Sequence, residues 1–509
     1  MDRFLDKHRA IVTGSLSCFD RVIFKGCLPL NYSGAMERFL DFHKVLYKDA
    51  KAFVLKQAER IKKHAQDAAA AQGRPYEYFE SAIAKEPRAR MIAERDGIRE
   101  GLVCVFSCIE PCRTYLIQFG EGRPRLRSAR RKCLAIYYYL IDPELGFLHV
   151  RIQTWFPLTL QIYVNGHEWL ARQMDQQKLG YERVDNAFVS LADASRAQSL
   201  ADAYVKLDWP ARLQALAERV NPILGDLMPK DSYYWTLHQA EYSTNVLFKD
   251  RLALRDLYAR LLRHATLDFG AEDVLTFLGK KLHGSFAGEV VNRYKKRWPG
   301  ARVKHWMKEN WIKMYDKHGV ILRVETVINN PEPFRVFRPG IRKGRPVTQW
   351  LPLTRGVAYM FRYAEVSRVA NQRYLDALAV VDNPAPAYRA MEQLARPRHV
   401  EGRSTKPFNP VAKADLRLFS AVMQGQHVIQ GFRNRDVRER LFPGTTGRPT
   451  ARRCGALVGR QLKRLHLRGL IAKIPRSRRW RVTDVGFKLL SASIHLHQDG
   501  FPEALAQAA

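Results

Sequence analysis

Three acidic side chains stand where chemistry on a phosphate ester would need them. Asp20 lies in CFDRVIFKG, an apolar run near the start of the chain, and Asp316 and Glu325 flank the turn of NWIKMYDKHGVILRVETVINN. Carboxylates gathered on one sheet face can hold divalent cations, which neutralise a phosphodiester and activate an attacking water. If His318-Gly319 forms a two-residue hairpin turn, Lys317 pairs with Val320 and Asp316 with Ile321. The register then sets Met314 against Arg323 and Ile312 against Glu325. Asp316, Arg323 and Glu325 would share a face with Ile312, Met314 and Ile321, and Trp311, Lys313, Tyr315, Leu322 and Val324 would form the other. The plainer expectation for this hairpin is an Arg–Glu pair on a half-solvated sheet.

Metal-dependent nucleases of the RNase H type use about three or four carboxylates, the first usually on the opening strand. Asp20 suits that place, with Glu325 or Glu241 as a later member, and Mg²⁺ is the cofactor this reading implies. No residue is otherwise assigned as a metal ligand. Glu241 and His238 fall one turn apart on an expected helix (LHQAEY), where ordinary helix-face pairing accounts for them and the HExxH zinc spacing is absent. Asp142 in DPELG is expected from turn chemistry alone. Cys104, Cys108 and Cys112 recur every fourth residue without CxxC pairs or a nearby His, which reads as buried thiols. The other four of the seven cysteines, Cys18, Cys27, Cys133 and Cys454, are scattered, which suits a reducing compartment. No Walker loop or GxGxxG is present, which argues against nucleotide hydrolysis.

The "KMYDK…LRVE" wording resembles a stretch in rolling-circle replication initiators. That family carries a His-hydrophobic-His strand and a nucleophilic tyrosine. Here the nearest match is His149-Val150-Arg151-Ile152-Gln153 with Tyr163 downstream, and Arg151 stands where a second ligand belongs. A polar strand face touching phosphate or RNA bases is the alternative.

Charge narrows the partner. Lys and Arg number 85 against 50 Asp and Glu, a formal +35, and such an excess repels itself unless a polyanion is near. Nucleic acid is the expected partner, DNA before RNA. A membrane is not, since no apolar run approaches the roughly 18 residues of a span and no signal peptide stands at the start. The expected location is the cytoplasm, on the nucleoid. Lys295, Lys296, Arg297 and Lys304, with Lys280, Lys281, Arg293, Arg302 and Lys308, are interleaved with Trp298, Trp306 and Trp311. Lysines can hold backbone phosphate there while the rings stack on unpaired bases.

The elements that must position these groups suggest an α+β, multidomain chain. Residues 1–195 read as an α+β domain: an extended segment at 11–28, helical periodicity over 34–71, β-rich stretches at 102–118, 133–141, 146–155 and 159–164, then a helix at 167–177. Residues 196–381 read as a helical and β-hairpin domain, with helices at 212–223, 233–248, 252–264 and 271–282. Residues 382–411 hold five prolines and read as a linker.

Residues 412–509 carry 19 Lys and Arg against 6 Asp and Glu, net +13. Their pattern is three helices, a strand, a basic tip at 475–479, a strand and a last helix. Asn434 and Thr450 are the expected caps of the second and third helices, Gly469 the stop and Thr483 the last cap. In the third helix Ala451, Cys454, Val458, Leu462 and Leu465 form an apolar back, and Arg453, Arg460, Lys463 and Arg464 a basic front. This segment, with LxxxGLI leading into the tip and RWRVTDVG returning, resembles the winged helix-turn-helix domains of MarR-like regulators. The resemblance implies DNA binding by Arg453, Arg460, Arg464, Arg476, Arg478 and Arg479. The whole chain has the look of transposase-like mobile-element proteins of bacteria. A non-enzymatic regulator or structured-RNA-binding protein is the competing class. A carboxylate-lined site would favour the enzyme.

Overall fold

Apolar and β-branched residues recur from position 11 between Ser17, Asp20, Arg21 and Lys25, and the chain there forms one long strand, β1 (Val12–Cys27), buried through much of its length. The structure, a computed structural model, describes residues 2–119, 124–228, 232–279, 290–296, 301–342, 344–379, 381, 392, 394–400, 403–444, 447–475 and 477–497. A short strand that was not expected, β2 (Tyr76–Tyr78), comes next, and the expected β-rich stretches follow as β3 (Gly101–Gln118), β4 (Arg125–Asp142), β5 (Gly146–Gln153) and β6 (Leu160–Asn165). Asp142 closes the β4–β5 turn by accepting from the Glu144 and Leu145 amides at 2.9 and 2.8 Å, the structural role its DPELG setting implies. A small hairpin, β7 (Tyr181–Val184) and β8 (Ala187–Leu191), comes next.

The chain is α+β, as read from sequence, but residues 233–248 are not a helix. They form β9 (Tyr234–Phe248), whose last seven residues are all buried. A strand covered on both faces loses the alternation that identifies it, so its apolar spacing passes for helical. Beyond it lie β10 (Val290–Lys296), β11 (Ala301–Met307), β12 (Asn310–Lys317) and β13 (Ile321–Ile328). Eleven of these strands make one sheet in the order β10-β11-β12-β13-β9-β1-β6-β5-β4-β3-β2.

The β12–β13 connection departs from expectation in an informative way. His318 and Gly319 do carry positive φ, +60° and +77°. Yet the strands end at Lys317 and resume at Ile321, so the turn holds three residues instead of two. One extra residue exchanges the faces of the partner strand. Ile312 and Met314 therefore share a core with Leu322 and Val324, and Lys313 and Tyr315 reach Glu325.

The chain divides into two compact units that interleave along the sequence and do not follow the expected boundaries. One comprises Leu16–Ser243 and Val327–Ser367; Phe24, Phe156, Tyr204 and Trp209 lie in its core. A separate ribbon in it pairs β14 (Arg335–Arg342) with β15 (Arg345–Pro352). The other comprises Met1–Ser15, Thr244–Thr326 and Arg368–Ala509. There Leu257, Met314 and Tyr374 share one core cluster with Phe419, Val458 and Leu465. Among the described residues, the tail shares its hydrophobic core with the rest of this unit.

Of the expected linker, Pro384 and Pro386 lie outside the described residues. The later part is structured: β16 (Arg398–Val400) pairs with β17 (Arg403–Thr405), and Leu394 and Phe408 are buried. The tail has helices Lys413–Val422, Gly425–Gln430, Asn434–Leu441 and Arg448–Leu467, then β18 (Ile471–Lys473), β19 (Trp480–Val482) and helix Asp484–His495. The short Gly425–Gln430 helix was not expected. Gly469 ends the long helix at φ +71°, and the Thr483 hydroxyl accepts from the Gly486 amide at 3.0 Å. Two expected caps shift: Asn434 is the first helical residue after Arg433, and Gly447-Arg448-Pro449 starts the long helix ahead of Thr450.

Candidate metal centre

Asp20 is where an apolar strand places a carboxylate at high cost, only 7% exposed, so it needs partners. The Asn186 amide, in the β7–β8 turn, donates to its Oδ1. Asn186 Oδ1 in turn accepts from Asn165 Nδ2 at 2.9 Å. Asn165 itself caps helix Gly166–Gln176, accepting from the His167 amide at 2.8 Å. Gly166 is required there: a Cβ would meet the Phe19 carbonyl oxygen at 2.3 Å, so only glycine lets this helix start against β1. His167, fully buried, completes the support, with Nδ1 3.8 Å from Asp20 Oδ1 and Nε2 3.4 Å from Cys18 Sγ. The carboxylate is fixed by a helix start and a hairpin turn.

Glu241 comes from β9 and is half-buried. Burial opposes the charge on neighbouring Arg21, but Glu241, Tyr163 and Asp20 outweigh it and raise the guanidinium pKa. Glu325, on β13, is 1% exposed. The Tyr315 hydroxyl donates to its Oε2 at 2.8 Å, and the Lys313 ammonium pairs with its Oε1. Arg323, two residues before Glu325 on the same strand face, donates from Nε to Asn245 Oδ1 at 2.6 Å.

One oxygen from each of Asp20, Glu241 and Glu325 lies within 4.8 Å of the others. No other group of three such potential ligands occurs among the described residues. No protein-family model, curated protein or solved structure matches this chain. The chemistry therefore rests on the geometry. Three carboxylates at this spacing match the donor set of a hard divalent cation, which takes oxygen ligands almost exclusively.

Two of the three expected acids are thus brought together, and Asp316 is not. Its Oδ1 accepts from the Gly319 amide at 2.9 Å, fixing the turn, and burial raises its pKa. Glu241 takes the third position. Sequence reasoning weighed it as a later acid yet placed it on a helix, which hid its neighbourhood with Asp20. Asn186, His167, Lys313 and Tyr315 went unread as supports; the Asn165-Gly166-His167 helix start was the available signal.

The remaining candidates divide. His149 is stacked on Tyr163 with ring centroids 5.1 Å apart, and burial chiefly lowers its pKa to about 3. Arg151 pairs with Glu110 at 2.8 Å, and Gln153 donates to the Trp155 carbonyl at 2.7 Å. Gln153 is buried, and His149 and Arg151 are partly buried, each against a protein partner. Cys104, Cys108 and Cys112 are buried free thiols, and burial pushes Cys104 up to about 12.

Around Glu325 the basic–aromatic pattern takes definite form. Register pairs Arg293 with Lys304, Lys304 with Lys313, and Trp306 with Trp311 across β10, β11 and β12. Lys304 Nζ stands 4.1 Å from the Trp306 ring centroid and 3.5 Å from that of Trp311. Val303, His305, Met307, Ile312 and Met314 point the other way and are buried. Lys295 is exposed, while Lys280, Lys281, Arg297 and Trp298 lie outside the described residues, as does the side chain of Lys296.

In the tail Arg453, Arg460, Lys463 and Arg478 are exposed, and Arg476 lies outside the described residues. Arg464 is not free to read a base. It pairs with Asp415 at 3.3 Å, donates to the carbonyls of Lys406 at 3.0 Å and Pro407, and covers the Phe408 ring at 3.6 Å. Arg479 donates to the Gly431 carbonyl at 3.0 Å. Both were expected at the DNA; the first is a clamp on the segment preceding the tail. No helix among the described residues is long and apolar enough to cross a membrane.

Proposed function

We propose that this chain is a metal-dependent phosphoryl transferase acting on nucleic acid, in the manner of nuclease- or transposase-like proteins of mobile elements. Asp20, Glu241 and Glu325 would hold Mg²⁺. The C-terminal segment would be a winged helix that finds DNA through Arg453, Arg460, Lys463 and Arg478. The observation that carries the reading is the convergence of three acids from positions 20, 241 and 325. At an effective dielectric near 20, two unit charges about 5 Å apart repel by about 3 kcal/mol. Lys313 and Arg21 offset part of that repulsion, and a shared divalent cation would offset more of it. When bound, Mg²⁺ would polarise the phosphodiester and lower the pKa of the attacking hydroxyl or water.

The chain's own residues supply the rest. The Asn186 amide holds Asp20 in place with His167 packed beside it, and Tyr315 and Lys313 orient Glu325. The cationic side chains of β10–β12 offer phosphate contacts on the face that carries Glu325. The test is strand cleavage of end-labelled DNA and RNA in Mg²⁺. Asp20→Asn and Glu325→Gln should each reduce cleavage by roughly a hundredfold or more, since a neutral amide oxygen holds a catalytic cation more weakly than a carboxylate does. Nucleic-acid affinity should change little. Undiminished cleavage in Glu325→Gln would sink the assignment.

A further inference from the structure

The β14–β15 ribbon forms a two-stranded sheet outside the large one. Its register sets Phe337 against Trp350 and Ile341 against Pro346. Side chains alternate across a ribbon, and the two faces differ. Val336 and Leu351 turn toward the protein, Val336 into the core. On the opposite face every residue is exposed: Phe337 at 56%, Trp350 at 57% and Ile341 at 79%, with their neighbours. The two rings lie side by side, centroids 5.5 Å apart, and Arg362 braces Trp350 at 5.2 Å. An apolar face of this kind on a soluble surface marks a binding site.

Charge says what would cover it. Residues 332–365 contain seven Lys and Arg against two Glu, of which Glu365 pairs with Arg362 at 2.7 Å, so the segment is net cationic and suits a polyanion. The edges say how it would bind. Pro339 in β14 and Pro346 and Pro352 in β15 lack the N–H that a docking strand needs, so pairing along the edge is blocked. The ligand must lie on the face and offer flat apolar groups between negative charges. We propose that this ribbon is a stacking platform for unpaired nucleotides, with bases on Phe337 and Trp350 and phosphates on the flanking arginines. This names single-stranded nucleic acid as the substrate class. It rests on the proposed function for the kind of polyanion only, and on no residue of the carboxylate cluster.

The test uses the full chain and fluorescence anisotropy with labelled oligo-dT and oligo-U of about twenty nucleotides, and with a duplex of similar length. Phe337→Ala/Trp350→Ala should weaken single-strand binding roughly ten- to a hundredfold, with unchanged melting temperature, because both side chains are exposed. Trp350→Phe should keep most of the affinity, since a ring remains. Duplex binding, assigned elsewhere, should stay within about twofold, a margin set well inside the effect of one lost stacked base. The two oligonucleotides show whether DNA or RNA is held more tightly. Unchanged single-strand binding, an equal loss on duplex, or a loss seen only in sedimentation with phosphatidylserine vesicles would each overturn the proposal. Asp20→Asn separates the two readings. If it leaves cleavage intact while the ribbon variant loses binding, the platform stands and the carboxylate centre falls. If it abolishes cleavage while the ribbon variant binds normally, the reverse holds.

Discussion

Replacing Glu241 with Gln should stabilise the metal-free protein, which is the opposite of what removing a buried polar partner normally does. Three carboxylates within 4.8 Å of one another make three mutual repulsions. Glutamine keeps the shape of the side chain and removes two of them, each about 3 kcal/mol at an effective dielectric near 20. The loss of attraction to Arg21, whose charge Glu241 supports, offsets much of that gain. A net increase on the order of 1 kcal/mol in EDTA is expected, or roughly 2–4 °C in melting temperature for a cooperative unit of this size. Mg²⁺ should stabilise the wild type by about 1.4 kcal/mol at ten times its dissociation constant and about 2.7 kcal/mol at a hundred times. Glu241→Gln, Asp20→Asn and Glu325→Gln should flatten that response. Thermal melts with and without Mg²⁺ suffice, and no substrate is needed. If Glu241→Gln is destabilised in EDTA and the wild type ignores Mg²⁺, the acids are a hydrogen-bonded structural network and the metal centre is refuted.

Arg464→Ala should cost about 2–4 kcal/mol of stability, because it strands Asp415 and two backbone carbonyls and uncovers Phe408; Arg460→Ala should leave urea denaturation unchanged and weaken duplex binding. His305 should make the fold acid-sensitive. It bridges Asn292 Oδ1 at 2.7 Å and the Tyr374 hydroxyl at 2.9 Å, and burial lowers its pKa to about 4. The unfolded imidazole protonates below about 6.5 and the folded one only below about 4, so stability is full above the first value. It falls by up to about 3 kcal/mol as pH drops through that window. Denaturation at pH 4.5 and 7.5 should show this in the wild type and a smaller loss in His305→Gln.

The strand skeleton of the N-terminal half was legible because its elements alternate or carry clear turn chemistry, as in the Asp142 turn. What failed failed for identifiable reasons. Complete burial at the end of β9 erased the period-two signal and made Glu241 a helix residue. A third residue in the β12–β13 turn inverted the pairing of faces, so Asp316 was grouped with Arg323 and Glu325 while their true neighbours, Lys313 and Tyr315, were set opposite. In the tail, helical spacing separated the apolar back from the basic front correctly. Spacing cannot tell an arginine facing solvent from one facing the preceding segment, and Arg464 lies on that border. Asp20 was found because an acid inside an apolar strand is costly wherever the strand goes.

The charge balance makes one further demand on the proposed centre. A chain of net +35 gathers polyanions everywhere, yet Glu325 shares a face with Lys313, Lys304 and Arg293 and stands with two other acids. Without a cation, those acids repel the phosphate that the lysines attract. With one Mg²⁺, two of the three negative charges are offset and the repulsion weakens. Wild-type protein in EDTA should therefore bind single-stranded DNA less tightly than Glu241→Gln does, by severalfold at about 50 mM salt, where screening is weak. Addition of Mg²⁺ should bring the wild type to the variant's affinity or past it, while the variant responds only as any basic protein does to added salt, by binding less. An unchanged order of affinities on adding Mg²⁺ would mean that the acids do not face the nucleic acid, and the three carboxylates would have to be explained by the fold alone.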